Sequence, residues 1–387
     1  MTAPKCTRCP EPATHTLRSQ PHCAACFSSF IRTKIVKRLE SFRLIRRTGR
    51  GTEPIPTFIV PLSFGVASIT LLDLLCWQMR KQMSYVTGPR YNIVVVHVDE
   101  RILGGESGEG HLSPTQQVES LKSERFPEVQ EWVVVNLEDI YDYRPRISSS
   151  TEEAHDIDGK EEGQSNKEAF EKLMQSLPSP TSRMDLAGVL RTRLVAEIGI
   201  KRRCEGVLWA DTTTKLAQKA FAETAKGRGF ALPWMISDVM SPYGIKFLYP
   251  LRELFMKELV TYAKELADPP LISLCWAYSE EPKHSAAKAT SGRNITVDEL
   301  MTQYFEQMEE QYPSIVSNVV RTANRLKVED PNAEHCVICG LPGDGGASGL
   351  TLGAQEETEG ISDGMCYGCL RSTHGATDKI DWPLGRT

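Results

Sequence analysis

Residues 58–75, FIVPLSFGVASITLLDLL, constrain the fold more than any other stretch, because two secondary-structure signals meet inside them. The first residues form an apolar run typical of a buried strand, and from Val66 onward apolar residues recur at helical spacing. A Ser/Gly turn at residues 63–68 joins the two patterns. We therefore predict a strand, a tight loop and a helix. In an open parallel sheet such a loop faces a ligand crevice, and the N–H groups of the following helix can bind a phosphate.

Three further apolar runs, at residues 91–99, 132–136 and 206–211, predict three more strands. They are apolar on both faces and helical patterns separate them, which is typical of parallel strands buried under helices. His97 lies in the first of these runs, and we interpret it as a core or strand-end residue without a functional role. The fold class predicted from these patterns is α/β with a parallel sheet.

The cysteines predict two metal sites, because eight of the eleven form four C-x2-C pairs, two near each end of the chain. The eight are Cys6, Cys9, Cys23, Cys26, Cys336, Cys339, Cys366 and Cys369. Each pair brings two thiolates to one side of a turn, and two pairs complete a tetrahedral set of four sulfurs suited to zinc. We predict one closed, structural zinc site per terminus. An arrangement in which the two ends share ligands stays open.

The length of 387 residues allows two or three structural units. We predict an N-terminal zinc ribbon with a basic helix at 1–50, an α/β domain at 51–330 and a C-terminal zinc module at 331–387. Polar stretches near 101–127 and 143–167 are expected to be loops inserted in the α/β domain. No run of about 18 apolar residues and no signal-peptide core occurs, so we expect a cytoplasmic protein without a membrane partner.

The formal charge of -5 gives no overall nucleic-acid signature, so any RNA site must be local. Residues 27–50 carry such a local excess, with eight basic residues against one acidic residue, Glu40. Apolar residues recur there at helical spacing, which predicts an amphipathic helix with its cations facing solvent. We predict that this helix binds RNA phosphates. A merely solvated helix, or one that docks on an acidic partner, is the alternative.

The loop at residues 63–68, SFGVAS, resembles the PP-loop, SGGxDS, of ATP-pyrophosphatases, whose fold is called adenine nucleotide alpha hydrolase-like. Ser63, Gly65 and Ser68 match the motif and are the candidate nucleotide-binding residues. Phe64 replaces a glycine that lets the backbone approach the pyrophosphate, and Ala67 replaces the aspartate that helps to hold the metal-nucleotide. We interpret the loop as retained architecture with impaired ATP chemistry. An ordinary strand–turn–helix of an α/β protein is the alternative.

The order of motifs along the chain is similar to that of the cytoplasmic tRNA 2-thiolation protein 2 family. The N-terminal cysteine pairs and the altered loop are followed by a strand ending in Asp211 before the helix sequence TKLA, then by GRG, PLR, CVICGLP and CYGC. The resemblance implies the partner subunit, without an intact active site, of a catalytic PP-loop tRNA thiolase. That pair places sulfur from a thiocarboxylated ubiquitin-related modifier at C2 of the wobble uridine in lysine, glutamate and glutamine tRNAs.

Site residues follow from the same resemblance. Catalytic relatives carry a C-x2-C pair where this chain has RMDLA at 183–187, and Cys275 is the one thiol near their third cysteine position. We therefore expect no catalytic residue in this chain, and a small buried role for Cys275. The residues expected to bind tRNA phosphates are Arg32, Lys34, Lys37 and Arg38.

Two further arginines, Arg228 and Arg252, are weaker tRNA candidates, since each could equally cap a helix or form an ion pair. Two other functions stay open at this point. One is a catalytically active ATP-dependent tRNA sulfurtransferase, and the other is a zinc-ribbon scaffold with no RNA role.

Overall fold

The computed structural model describes residues 4–42, 54–84, 88–104, 113–143, 164–276, 295–327, 335–342 and 364–376. Within these residues the centre of the fold is a six-stranded sheet with the order β5-β4-β3-β6-β8-β7. The strands are β3 (Thr57–Pro61), β4 (Asn92–Asp99), β5 (Glu131–Asn136), β6 (Gly206–Leu208), β7 (Val239–Met240) and β8 (Lys246–Leu248). Five strands are parallel, and β7 pairs with β8 in the antiparallel sense. The predicted α/β fold with a parallel sheet is confirmed.

The four predicted strands are β3 to β6, whereas β7 and β8 were not predicted. These two strands contain two and three residues, too few to give an alternating pattern that can be recognised in the sequence. Strand β6 ends at Leu208, earlier than predicted, although the N–H of Trp209 still donates to the carbonyl of Leu248 over 2.8 Å.

Helices cover both faces of the sheet. In chain order they are α1 (Ala24–Ser41), α2 (Val66–Met83), α3 (Pro114–Glu124), α4 (Asn166–Ser176), α5 (Pro180–Lys201), α6 (Thr213–Ala225), α7 (Leu232–Ile236), α8 (Met256–Thr261), α9 (Val297–Gln311), α10 (Pro313–Ala323) and α11 (Tyr367–Thr373). None of the helices in the described ranges combines the length and the apolar character that a membrane crossing requires.

The alternation of side chains along the strands divides the core in two. Phe58 and Val60 of β3 belong to a cluster with α1, α2 and α3, while Ile59 between them points into a cluster with α4, α5 and α6. Adjacent residues therefore face opposite layers, and both layers exclude water from the sheet. This burial on both faces explains the continuous apolar runs in the sequence.

A small hairpin of β1 (His15–Leu17) and β2 (Gln20–His22) precedes α1 and lies between the two N-terminal cysteine pairs. Its two turn residues, Arg18 and Ser19, have φ angles of 49° and 67°, the left-handed pair that a two-residue hairpin turn requires.

The predicted insertions are described only in part. Residues 144–163 lie outside the described residues, and so do residues 105–112. The rest of the stretch near 101–127 is not the loop that was predicted, because it contains α3. The Ser113 hydroxyl accepts from the N–H of Gln116 while the Gln116 side chain accepts from the N–H of Ser113, and Pro114 opens the helix. This capping box stabilises a helix that the polar composition did not reveal.

Candidate functional site

The loop that resembles a PP-loop lies at the carboxyl end of β3 and leads into α2, as predicted. Gly65 is the N-cap of α2 and provides no side-chain cap for the free N–H groups of the first turn. The hydroxyls of Ser63 and Ser68 lie 3.2 Å apart, and the Ser68 hydroxyl donates to the Gly65 carbonyl over 3.0 Å. The three matching residues are therefore brought together, and their polar groups bond to one another.

Three aromatic rings close this loop, and we call Phe64, His97 and Trp276 the aromatic cluster. The Phe64 ring is 1% exposed and stacks on the Trp276 ring, with centroids 4.0 Å apart and planes inclined by 7°. His97 packs edge-on against both rings, at 5.0 and 5.3 Å between centroids. The bulky residue in the second loop position is thus fixed inward by a tryptophan from a distant part of the chain. Sequence reasoning missed Trp276, because no local pattern links it to the loop.

His97 has the structural role that was predicted for it. Its Nδ1 bonds to the carbonyl of Leu62 over 2.8 Å. Burial lowers the pKa of His97, and this effect outweighs the hydrogen bond to Leu62 and the charge of Asp99, which both favour protonation. A neutral imidazole therefore donates from Nδ1 and completes the aromatic cluster.

The four N-terminal cysteines form the first candidate metal centre. The sulfurs of Cys6, Cys9, Cys23 and Cys26 lie within 4.8 Å of one another. Cys23 is the N-cap of α1, and its sulfur accepts from the N–H of Cys26. The turn between Lys5 and Pro12 and the start of α1 each present one C-x2-C pair, so four sulfurs converge as a tetrahedral metal site requires.

The C-terminal cysteines form the second candidate centre, and the sulfurs of Cys336, Cys339, Cys366 and Cys369 also lie within 4.8 Å of one another. All four residues are buried, whereas two of the four N-terminal cysteines are partly exposed. Gly340 has a φ angle of +66° directly after the first pair, which permits the tight turn of the knuckle. Both predicted groupings are therefore present, and the set of four thiols at each is compatible with zinc.

The second centre is docked on the α/β domain. The Arg193 guanidinium donates to the carbonyl of Ile338 over 2.8 Å, and the Tyr243 hydroxyl donates to the carbonyl of Cys339 over 2.7 Å. Its cysteines belong to the same apolar cluster as α5 and α6. The second candidate centre is therefore continuous with the main core.

A buried ion cluster occupies the position at which catalytic relatives were expected to carry a cysteine pair. Asp185 of α5 pairs with Arg228 and with Lys226, the latter over 3.0 Å, and accepts a hydrogen bond from Ser372 of α11 over 2.7 Å. Burial opposes the ionisation of Asp185, but the charges of Arg228 and Lys226 outweigh it and lower the pKa of the carboxyl. Glu223 accepts from Arg228 over 2.7 Å. At the position of the expected cysteine pair, this chain therefore has a buried carboxylate that joins α5 to α11 and to the end of α6.

The cysteines outside the two centres are protonated thiols. Burial raises the pKa of Cys275 to about 11 and that of Cys204 to about 11. Burial also raises the pKa of Cys76 well above its ordinary value. Cys275 precedes the Trp276 of the aromatic cluster, and its sulfur donates to the carbonyl of Leu271 over 3.5 Å. These thiols lack the thiolate character that sulfur transfer needs.

The basic helix is α1, and its cations do not all face solvent as predicted. Arg32 lies over the Trp77 ring at 5.0 Å and is partly buried, while Lys37 is exposed. Lys34 pairs with Glu253 over 2.7 Å, and Arg38 pairs with Asp238. Acidic and aromatic side chains of the α/β domain attract three of the four cations toward it. The other predicted basic residues of this stretch, at 43–50, lie outside the described residues.

The two weaker arginine candidates are both in ion pairs. Arg228 is 1% exposed, within the ion cluster, and Arg252 pairs with Asp238 over 2.7 Å. Asp211, named above as a strand end, is not the helix cap, because the Thr212 hydroxyl accepts from the N–H of Lys215 at the start of α6. Arg38 of α1 and Arg252 therefore meet at Asp238.

Comparison with known proteins agrees with the resemblance found in the sequence. A family model described as cytoplasmic tRNA 2-thiolation protein 2 matches residues 296–351. The chain is 36% identical to the cytoplasmic tRNA 2-thiolation protein 2 of Pyrenophora tritici-repentis, over 97% of this chain and 96% of that one. It is 38% identical to the protein of the same name from Phaeosphaeria nodorum, over 96% and 95% of the two chains.

Among solved structures, the U34-tRNA thiolase NcsA from Methanococcus maripaludis, determined with its [4Fe-4S] cluster, resembles this chain with a TM-score of 0.54. The sequence identity is 16%, and the similarity covers 87% of this chain and 91% of that one. The two proteins share a fold.

Proposed function

The chain belongs to the cytoplasmic tRNA 2-thiolation protein 2 family, and we propose that it acts in 2-thiolation of the wobble uridine of cytoplasmic tRNAs as the non-catalytic subunit of a heterodimer. Its partner is a catalytic PP-loop thiolase. The sulfur comes from a thiocarboxylated ubiquitin-related modifier, and the substrates are lysine, glutamate and glutamine tRNAs.

The observation that carries this proposal is the closed loop on a thiolase-like fold. Adenylation of the uridine oxygen needs a loop that wraps the pyrophosphate of ATP and a carboxylate that holds the metal-nucleotide. In this chain Phe64 occupies the loop and is stacked under Trp276, and Ala67 has no carboxylate. Ser63, Gly65 and Ser68 keep the outline of the loop.

The sulfur chemistry supports the same assignment. A sulfur site needs several thiolates, whereas Asp185 and its cations fill the position of the expected cysteine pair. Cys275 is a single protonated thiol. The catalytic steps therefore belong to the partner subunit.

Zinc is the metal that best suits both cysteine centres. Four thiolates without an open position give a closed, tetrahedral site, which crosslinks the chain and has no catalytic role. The N-terminal zinc would hold the turn at residues 6–9 against the start of α1, and the C-terminal zinc would hold the turn at residues 336–339 against the start of α11.

The tRNA-binding role rests on the cations of α1. Lys37 is exposed and forms no ion pair with the part of the chain that the structure describes, while Arg32, Lys34 and Arg38 are held at the edge of the α/β domain by Trp77, Glu253 and Asp238. In a protein with a negative net charge, a region in which cations are concentrated can bind a polyanion such as RNA.

The test is co-purification of the tagged protein, with mass spectrometry of bound proteins and of wobble-uridine thiolation after deletion of the gene. We expect a PP-loop thiolase to be captured and 2-thiouridine to disappear. Unchanged thiolation and no bound thiolase would refute the proposal. The double change Ser63→Ala and Ser68→Ala separates the subunit from the active sulfurtransferase alternative. It should leave thiolation intact here, whereas equivalent changes in the partner should abolish it.

A further inference from the structure

A cleft of about 640 Å³ opens beside α1, at the carboxyl ends of β6 and β8 and against one side of α10. Its basic lining residues are Arg18, Lys34, Arg38, Arg252 and Arg321, and its acidic ones are Asp238 and Glu253. We call this the basic cleft. Arg18 pairs with Glu258 outside the lining over 2.8 Å, which leaves four cations against two carboxylates, a local excess of positive charge in a chain whose formal charge is -5. The carboxyl edge of a parallel sheet is also where α/β proteins bind their ligands.

Ion pairs account for four of the five cations of the basic cleft. Asp238 pairs with both Arg38 and Arg252, Glu253 pairs with Lys34, and Glu258 pairs with Arg18 over 2.8 Å. Arg321 of α10 is exposed at the rim, and within the described ranges no side chain pairs with it.

Two buried polar atoms in the basic cleft also lack hydrogen-bond partners within the described part of the chain. They are the hydroxyl of Ser237, a residue that is 8% exposed, and Nε of Arg38. Buried polar groups in folded proteins nearly always have a partner, so unsatisfied donors around one cavity point to a ligand that accepts hydrogen bonds. A ligand with several anionic oxygens would satisfy Arg321, Ser237 and Arg38 together.

We propose that the basic cleft binds a phosphate group of the tRNA backbone. This inference rests on the proposed function, since it names the surface by which the subunit holds the tRNA. Guanidinium groups bind phosphate oxygens in a planar, bidentate geometry, and four of the five cations that line the basic cleft are arginines. The described lining contains no aromatic ring on which a nucleobase could stack, which favours a phosphodiester over a free nucleotide.

The test measures tRNA binding by the full-length, zinc-loaded heterodimer, using fluorescence anisotropy between 50 and 200 mM salt. We expect Arg321→Ala to weaken tRNA binding by about 3- to 10-fold and to reduce the salt slope by about one. Ser237→Ala should weaken binding less and in the same direction. Lys246→Ala is the matched control, because Lys246 is also exposed but starts β8 at the opposite edge of the sheet. Its affinity should equal that of the wild type.

The possible outcomes distinguish the proposed cleft from the proposed function. Equal affinity and salt slope for Arg321→Ala, Lys246→Ala and wild type would overturn the basic cleft while the thiolation role stands. A second outcome would also overturn the proposal. If ATP displaced tRNA but the same concentration of inorganic phosphate did not, and Arg321→Ala abolished this displacement, the basic cleft would be a nucleotide site. If tRNA binding depended on Arg321 but gene deletion left thiolation unchanged, the basic cleft would be upheld as a tRNA-binding surface and the proposed function would be refuted.

Discussion

The backbone N–H of Trp276 donates to the carbonyl of Phe64 over 3.1 Å, and the side-chain rings of the same two residues stack on each other. Trp276 thus fixes both the backbone and the ring of Phe64. Phe64 has a φ angle of +55°, in the left-handed region that glycine tolerates and phenylalanine rarely adopts. The contact with Trp276 offsets the cost of that conformation, so the loop keeps the backbone shape of a glycine position while its side chain fills the space.

Two substitutions of Phe64 separate the destabilisation by its left-handed backbone conformation from the stabilisation by its buried ring. Removal of a buried aromatic ring costs roughly 3–5 kcal/mol. Phe64→Ala loses the ring and keeps the backbone strain, whereas Phe64→Gly loses the ring and relieves the strain. We expect Phe64→Gly to be more stable than Phe64→Ala by about 1 kcal/mol in urea unfolding. An alanine variant as stable as the glycine variant would show that the conformation is unstrained.

His97 gives the aromatic cluster a pH dependence. Because burial lowers the pKa of His97 in the folded state, its imidazole stays neutral there, while the unfolded chain binds a proton near the ordinary value of 6.5. Stability from this group is therefore present above pH 6.5 and is lost as the pH falls through 6.5 toward the folded pKa.

His97→Asn tests this, since the amide can donate to the Leu62 carbonyl but does not titrate. The free energy of unfolding of wild type relative to the variant should fall between pH 7.5 and 5.5. A constant difference across that range would mean that His97 has the same pKa in both states. Metal release at low pH affects both proteins and cancels in the comparison.

The parts of the fold that could be predicted from the sequence are those specified by neighbouring residues. The apolar runs of β3 to β5 and the C-x2-C pairs are local patterns, and the structure has them where they were expected. The contact of Trp276 with Phe64 and the pairing of Arg38 with Asp238 join residues far apart in sequence. Such contacts depend on which faces the folded elements present to each other, and the local pattern does not encode this.

The two cysteine centres should differ in how much stability they contribute. Elemental analysis of the purified chain should give two zinc ions, and either Cys9→Ser or Cys339→Ser should reduce this to one. Because Cys339 lies in the main core and Cys9 is partly exposed, Cys339→Ser should lower the thermal midpoint more, by roughly 10 °C or more. Cys204→Ser, outside both centres, should keep two zinc ions. Iron in place of zinc, or equal midpoints for the first two variants, would contradict this assignment.

The ion cluster around Asp185 should be sensitive to the loss of one charge. Asp185→Asn leaves Arg228 and Lys226 buried with one carboxylate fewer, which we expect to cost about 3–5 kcal/mol in urea unfolding. Asp298→Asn is the matched control, because the Asp298 side chain contacts the same Lys226 over 3.2 Å but is 44% exposed. Solvent screening should limit its cost to less than about 1 kcal/mol. An equal loss of unfolding free energy in the two variants would mean that the burial of Asp185 does not add to the stability that its ion pairs provide.

Lys37 and Arg32 lie on the same helix but should have different roles. Lys37 is exposed, so Lys37→Ala should leave stability within about 0.5 kcal/mol of wild type and reduce the salt slope of tRNA binding by about one. Arg32 lies over Trp77, and its charge is one of those that oppose the burial-driven rise in the pKa of Asp73.

Arg32→Ala should therefore cost about 1 kcal/mol of stability through the lost cation–π contact, with a smaller effect on tRNA binding. Urea unfolding and anisotropy on the same preparations separate the two effects. If Arg32→Ala weakened tRNA binding at unchanged stability and Lys37→Ala did not, the RNA would contact the side of α1 that faces the domain. Arg32 is not among the residues that line the basic cleft, so such a result would place the RNA beside Trp77 and not at Lys34 and Arg38, and the exposed side of the helix would have no part in holding the tRNA.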